Sequence, residues 1–377
     1  MIRETKPDPS ISSLLLERID AGDFPSAVYL VAERGQITFA DAVGYAVREP
    51  DQILATLETI YDLASLTKPL ITGLLCARRV ESGALTLDSS VAHYLPEFDR
   101  TDKQAITIRH LLTHGSGLPA WRPLYVLTDG RPEATLAAIA NLELEYRPGT
   151  RVLYSDLGFI TLGLLLERMT GTTLAALARQ EIIESLNLTR TLFNPGSAMK
   201  TLIAASETGN TFERETCGEM GLRYSAWREG KIWGEVHDGN AHFLGGAAGH
   251  AGLFSTAAET LQIARQFIAE QTELLRAETC GLFRTNFTPG LEEDRSIAWK
   301  LASAKESSAG PDLARESFGH AGFTGTSCWI DPAPQHVFIL LTNRTHARAL
   351  PFANINGVRR QFHTLAVASL SSLDFSL

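Results

Sequence analysis

Strand-like runs of apolar and β-branched residues mark the two ends of this chain, and apolar residues at helical spacing fill the stretch between them. Two runs, Ala27-Val28-Tyr29-Leu30-Val31 and Ile37-Thr38-Phe39, lie on either side of Gly35 and predict a hairpin with strands over residues 26–47. Near the C-terminus, Val337-Phe338-Ile339-Leu340-Leu341-Thr342 predicts another strand. Between them, a helix is expected to start near Ser65 and continue through Leu70-Ile71-Thr72-Gly73-Leu74-Leu75, with Pro69 tolerated near its first turn. Thr107 is placed to cap a helix through Leu112. Ser155 or Asp156 is placed to cap another running to Met169 and ended by Gly171, and Thr172 or Thr173 a third towards Leu186. Residues 200–245 have weak periodicity and read as a long ordered loop region that shapes substrate choice.

Strands at both ends with helices inserted imply an α+β fold. The expectation is a single domain over residues 1–377: an antiparallel sheet built from both termini and flanked by helices (1–60 and 250–377), with a mostly helical lobe (61–249) inserted. The cleft between the lobes is the expected site.

At 44% hydrophobic and 20% charged residues the chain is a globular protein rather than a disordered or fibrous one. A net charge of −9 with no long basic run argues against a nucleic-acid partner. No uninterrupted apolar run reaches membrane-spanning length. The stretch Met1–Ser10 has no basic segment leading into an apolar one, so no secretory signal is read and a cytoplasmic location is expected. Cys76, Cys217, Cys280 and Cys328 are scattered, with no C-x-x-C pair, and read as reduced thiols. Oligomeric state is left open.

Ser65-Leu66-Thr67-Lys68 carries the first chemistry. On a helix, residues i and i+3 share a face, so the Lys68 amine is placed to bond the Ser65 hydroxyl and help take its proton. Further on, Tyr154-Ser155-Asp156 sets a phenol and a carboxylate just before an apolar helix. Gly319-His320-Ala321-Gly322-Phe323-Thr324-Gly325-Thr326 then runs into the strand-like Ser327-Cys328-Trp329-Ile330.

In this order the three segments resemble the S-x-x-K, Y-x-N and [KH]-x-G motifs of the serine β-lactamase, penicillin-binding protein and family VIII esterase superfamily, and within it the class C-like branch. The segments Gly234–Ala241 and Gly245–Thr256 are similar to a subgroup of D-alanyl-D-alanine carboxypeptidase-type and N-acetylmuramoyl-L-alanine amidase-type members. The resemblance implies a β-lactamase/transpeptidase-like fold and a serine hydrolase working through an acyl-enzyme on Ser65, without cofactor. It implies Lys68 and Tyr154 as the activating pair, with Lys68 lowering the phenol's pKa, and the backbone N–H groups of Ser65 and Phe323 as the oxyanion hole. Asp156 and His320 stand where Asn and Lys occur in true lactamases, which argues against efficient penicillin hydrolysis.

Asp156 either caps its helix or orients Lys68, and in the second case it holds the amine protonated. His320 is expected to donate to a substrate carboxylate or carbonyl, or to assist proton transfer. Gly322 is expected to let substrate approach the strand. His237 and Asp238 order their loop or touch substrate, and His250 supports the Gly-rich turn. His237, Asp238, His242 and His250 fit no familiar zinc spacing, so no metal is expected. The substrate expected is a small-molecule amide or ester, with peptidoglycan fragments favoured over simple esters and β-lactams. Two alternatives stay open: a promiscuous carboxylesterase with weak β-lactamase activity, and a binding protein that senses cell-wall fragments without turnover.

Overall fold

The computed structural model describes residues 6–374. Part of the N-terminal stretch read for a signal, residues 1–5, and the last three residues lie outside the described residues. The expected hairpin is present as β1 (Ser26–Glu33) and β2 (Gln36–Val47), joined by Arg34 and Gly35, both with positive φ as a two-residue hairpin turn demands. Eight further strands follow: β3 (Ile53–Leu54), β4 (Tyr61–Asp62), β5 (Leu192–Phe193), β6 (Leu253–Ser255), β7 (Lys300–Leu301), β8 (Phe318–Ala321), β9 (Ser327–Asp331) and β10 (His336–Thr342).

The main sheet runs β3-β2-β1-β10-β9-β8-β7, every neighbouring pair antiparallel, so strands from the two ends of the chain meet at its centre. β1 pairs with β10 from Ala27↔Thr342 to Glu33↔His336. Both of its faces are buried. Ala27, Tyr29 and Val31 pack with Ile11 and Leu15 of the helix Pro9–Asp20 and with Phe362 and Ala366 of the helix Asn356–Asp374. Val28, Leu30 and Ala32 face the larger core shared with the helical part. This double coverage explains the unbroken apolar run in the sequence.

Local capping holds where sequence placed it. Thr107 makes a reciprocal capping box with His110. Ser155 caps Asp156–Thr170, and Gly171, at φ 68°, ends it. Three expectations are corrected. The helix near Ser65 begins as a 3-10 turn (Ala64–Leu66), widens to a π-helical stretch (Lys68–Gly73) and becomes α-helical only at Leu74–Glu81. Pro69 has no N–H to give the ordinary i→i−4 ladder there. Residues 200–245 are not all loop, since they contain helices Thr211–Glu219 and Gly239–Phe243. The third is an omission: a second small sheet, β4-β6-β5, had no signal in its two- and three-residue strands, and it pins the segment before Ser65 to Leu253–Ser255, just after the Gly-rich loop. Among the described residues, no helix is long and apolar enough to cross a membrane.

Candidate active site

The turn that presents Ser65 is built from buried backbone and one carboxylate. Leaving β4, Asp62 accepts the Ala64 N–H at 2.9 Å and the His237 N–H at 2.7 Å, tying the serine turn to the 237–238 loop. Ala64 sits at φ 48°, a left-handed conformation that is strained for alanine and is held here by its surroundings. Thr324 and Thr326 donate to the carbonyls of Asp62 (2.8 Å) and Leu63 (2.9 Å), so the β8–β9 connection lies strapped across the turn.

Gly322 makes that approach possible. A Cβ there would stand 2.6 Å from the Leu63 carbonyl oxygen and 2.2 Å from Thr326 Oγ1. Gly322 therefore admits the nucleophile turn, and it also lines the cavity in front of Ser65. Among the described residues, neither the Ser65 nor the Phe323 N–H is taken up by a hydrogen bond, as an oxyanion hole requires. Phe323 is fixed by Arg344, which donates to its carbonyl at 2.6 Å, and by ring contacts with His237 and Phe212.

Lys68 is wholly buried and its ammonium meets three acceptors: Ser65 Oγ at 2.9 Å, Asp156 Oδ1 at 2.6 Å and the His250 carbonyl at 3.2 Å. Burial pulls its pKa down, but Asp156 and Tyr154 outweigh it, and the amine is held above its ordinary value. Ser155 makes the cap and Asp156 makes the ion pair, which resolves the two readings of Asp156. Tyr154 lies with its ring centroid 4.8 Å from Lys68 Nζ. Burial, reinforced by Asp156, pushes its phenol up and wins over the pull of Lys68, so the expected lowering is overturned and the phenol stays protonated at neutral pH.

His320 extends this group, its ring 5.7 Å from that of Tyr154. Burial and the charges of Lys68 and Arg295 hold it well below the ordinary histidine pKa, so it is neutral. Its Nδ1 lies 3.0 Å from the Ala321 carbonyl, which can only accept, so the proton sits on Nδ1 and Nε2 carries a lone pair. Nε2 has no protein partner. His320 is thus an acceptor, and the expected donation to a substrate carboxylate is corrected.

His237 and Asp238 order the loop. His237 pairs with Glu207 (3.2 Å), which raises its pKa against the pull of burial, and it stacks on Phe323. Asp238 caps Gly239–Phe243 and accepts from His250 at 2.8 Å; despite its burial it is held well below the carboxylate range, chiefly by His250. Of the four groups weighed as metal ligands, His242 turns to Glu235 at the surface. The groups that converge are Asp156, Asp238 and His250, with ligand atoms within 4.8 Å of one another. Lys68 already brings a cation there, bonded to Asp156 and the His250 carbonyl.

Ser65, Tyr154, Asp156, His237, Asp238 and Phe323 border a cavity of about 530 Å³ that also takes in Trp121, Phe212, Glu213, Asn356 and Arg359, while His320 lines a smaller hollow on the other side of Tyr154. The sequence reading missed Asp62, Glu213, Asn356 and Arg359. It also missed His114, whose Nδ1 accepts the Ser155 N–H at 3.0 Å and whose ring lies 4.4 Å from that of Tyr154. Arg359 is buried and donates to Asn356 and to the carbonyls of Gly322 and Thr326, while its Nε has no partner. Burial and the neighbouring Arg344 pull it down to about 9, and no carboxylate offsets them.

A serine held against a buried lysine, with a phenol beside it and two free backbone donors in front, defines a serine hydrolase of the acyl-enzyme type. The chain belongs to the Beta-lactamase family, which it matches over residues 11–358. It is 31% identical over 362 residues to the N-acetylmuramyl-L-alanine amidase of Bacillus subtilis (strain 168), covering 88% of this chain and 80% of that one. It is 30% identical over 362 residues to an Escherichia coli (strain K12) protein provisionally named D-alanyl-D-alanine carboxypeptidase, covering 88% and 81%. In fold it is similar to a penicillin-binding protein homologue from Caulobacter crescentus, with a TM-score of 0.74 at 20% identity over 97% of this chain and 99% of that one.

Proposed function

We propose that this enzyme hydrolyses an amide bond in carboxylate-bearing muropeptides through an acyl-enzyme on Ser65. The observation that carries the reading is Arg359: a buried guanidinium that lines the cavity holding Ser65, with no counter-charge among the described residues, calls for an anionic group on the substrate. The similarity to a cell-wall amidase supports the choice of muropeptide.

In the proposed cycle Ser65 attacks the carbonyl, whose oxygen develops charge towards the Ser65 and Phe323 N–H groups. The serine proton passes to Lys68 as Lys68 hands one to Asp156, 2.6 Å away. Tyr154, still protonated, gives its proton to the leaving amine and recovers one from Lys68, and Asp156 returns its proton to Lys68, so that in net one proton has moved from the serine to the amine. Water then takes the place of the amine, and the same groups run the second step. The four cysteines are free thiols, which supports a cytoplasmic site of action on fragments already released from the wall.

Liquid chromatography of purified muropeptides incubated with the enzyme is expected to show new peptide and sugar-bearing products that are absent with Ser65→Ala. Unchanged muropeptides beside rapid turnover of simple esters would overturn the muropeptide reading in favour of a carboxylesterase.

A further inference from the structure

The wall of the cavity opposite in character to Arg359 is formed by the helix Thr211–Glu219, which sends Phe212, Glu213 and Thr216 into it. Glu213 is 6% exposed and sits at the boundary with a smaller aromatic hollow containing Tyr125, Tyr224 and Trp227. Its two oxygens accept from the Gly239 N–H (2.7 Å) and the Tyr125 hydroxyl (2.8 Å). Each carboxylate oxygen has two acceptor positions, so each retains one.

The position is built around this carboxyl. A Cβ on Gly239 would stand 2.1 Å from Glu213 Oε2, so a larger residue there would displace the carboxyl from this position. No cation is paired with it. His237, whose charge pulls on it, is committed to Glu207 (3.2 Å), and the neighbouring Asp238 adds negative charge. Among the described charged groups that line the cavity, Asp156, Asp238 and His237 have partners of opposite charge, whereas Arg359 and Glu213, of opposite sign to each other, have none. Burying such groups without a complement is costly, and a ligand that carries both charges removes both costs.

We infer that Glu213 is a specificity-determining residue that binds a protonated amine of the substrate, so that the preferred substrate is zwitterionic, with a free ammonium group towards Glu213 and a carboxylate towards Arg359. The inference rests on the muropeptide reading and narrows it to fragments whose peptide keeps a free side-chain amine. Burial and Asp238 hold Glu213 up at about 7, against the pull of the Gly239 N–H, Tyr125 and His237. The carboxylate that pairs with an ammonium therefore forms as pH rises through neutrality, while Asp238, held low, and the Lys68 ammonium, held high, keep their charges.

The test uses one probe in two forms: a muropeptide containing a diamino acid, and the same compound with its amine acetylated by acetic anhydride. For the wild type, acetylation is expected to raise KM at least tenfold with little change in kcat. KM for the free amine is expected to fall between pH 6 and 8, while that of the acetylated form stays flat. Glu213→Gln, which keeps an acceptor for Tyr125, is expected to bring the ratio of the two KM values close to one. Equal KM values for the two forms on the wild type, or discrimination that survives in Glu213→Gln, would overturn the role of Glu213 while leaving the muropeptide reading intact. Failure to cleave either form would instead count against the muropeptide reading on which the inference rests, and would withdraw it.

Discussion

Replacing Lys68 with Met is expected to lower kcat by about 10²–10⁴-fold and to destabilise the fold by about 3–5 kcal/mol, because one side chain serves both the proton path and a buried ion pair. The structural cost arises at Asp156: with the ammonium gone, its carboxylate loses the partner 2.6 Å away. The side chain of Asp156 is 19% exposed, so water relieves part of that cost and the loss belongs at the lower end of the range. A double variant, Lys68→Met with Asp156→Asn, separates the two roles. Removing the orphaned charge is expected to restore most of the stability, measured by urea denaturation, and none of the turnover. If the double variant regained activity along with stability, Lys68 would be a structural cation and the proton path proposed through it would be wrong.

The second large effect is expected from a single methyl group. Gly322→Ala places a Cβ against the Leu63 carbonyl and Thr326 Oγ1, the two atoms through which the β8–β9 connection is strapped to the nucleophile turn. Something must give, and backbone on one side leaves little freedom, so the connection is expected to lift away. Phe323 follows Gly322 directly, so its N–H moves out of line with that of Ser65. Loss of one oxyanion donor costs about 2.7–4 kcal/mol of transition-state stabilisation, or roughly 10²–10³ in kcat. Overpacking adds about 1–3 kcal/mol of lost stability. Steady-state kinetics on any cleaved substrate reads the first and thermal unfolding the second. An unchanged kcat would show that the Phe323 N–H does not stabilise the oxyanion.

What could be read from sequence was chemistry that acts over a few residues. Ser65 and Lys68 are three apart, Ser155 caps the helix it begins, and Thr107 bonds a residue three places on. Each of these interactions is written in local spacing. The unbroken apolar, β-branched runs of β1 and β10 likewise announced a sheet made from both ends of the chain, and the registers between them complete it.

The parts that escaped are joined over long separations. Asp62 meets His237 across 175 positions, Arg359 meets Gly322 across 37, and Tyr125 meets Glu213 across 88. Nothing in the neighbourhood of any of these residues signals the partner. The same limit explains the misjudged electrostatics. Lys68 does draw the Tyr154 phenol down, but how far burial and Asp156 push it up depends on how the domain closes over the site. Gly322 was marked as a glycine that permits a close approach, and only the fold shows that the nucleophile turn at Leu63 and Ala64 is packed against it.

The account stands on an activated Ser65, and intact-mass spectrometry after exposure to a fluorophosphonate tests that most directly, with Ser65→Ala alongside. A single adduct on the wild type that disappears in the variant is the expected result. A folded wild type that stays unmodified would contradict it, and would favour a protein that binds cell-wall fragments without turning them over.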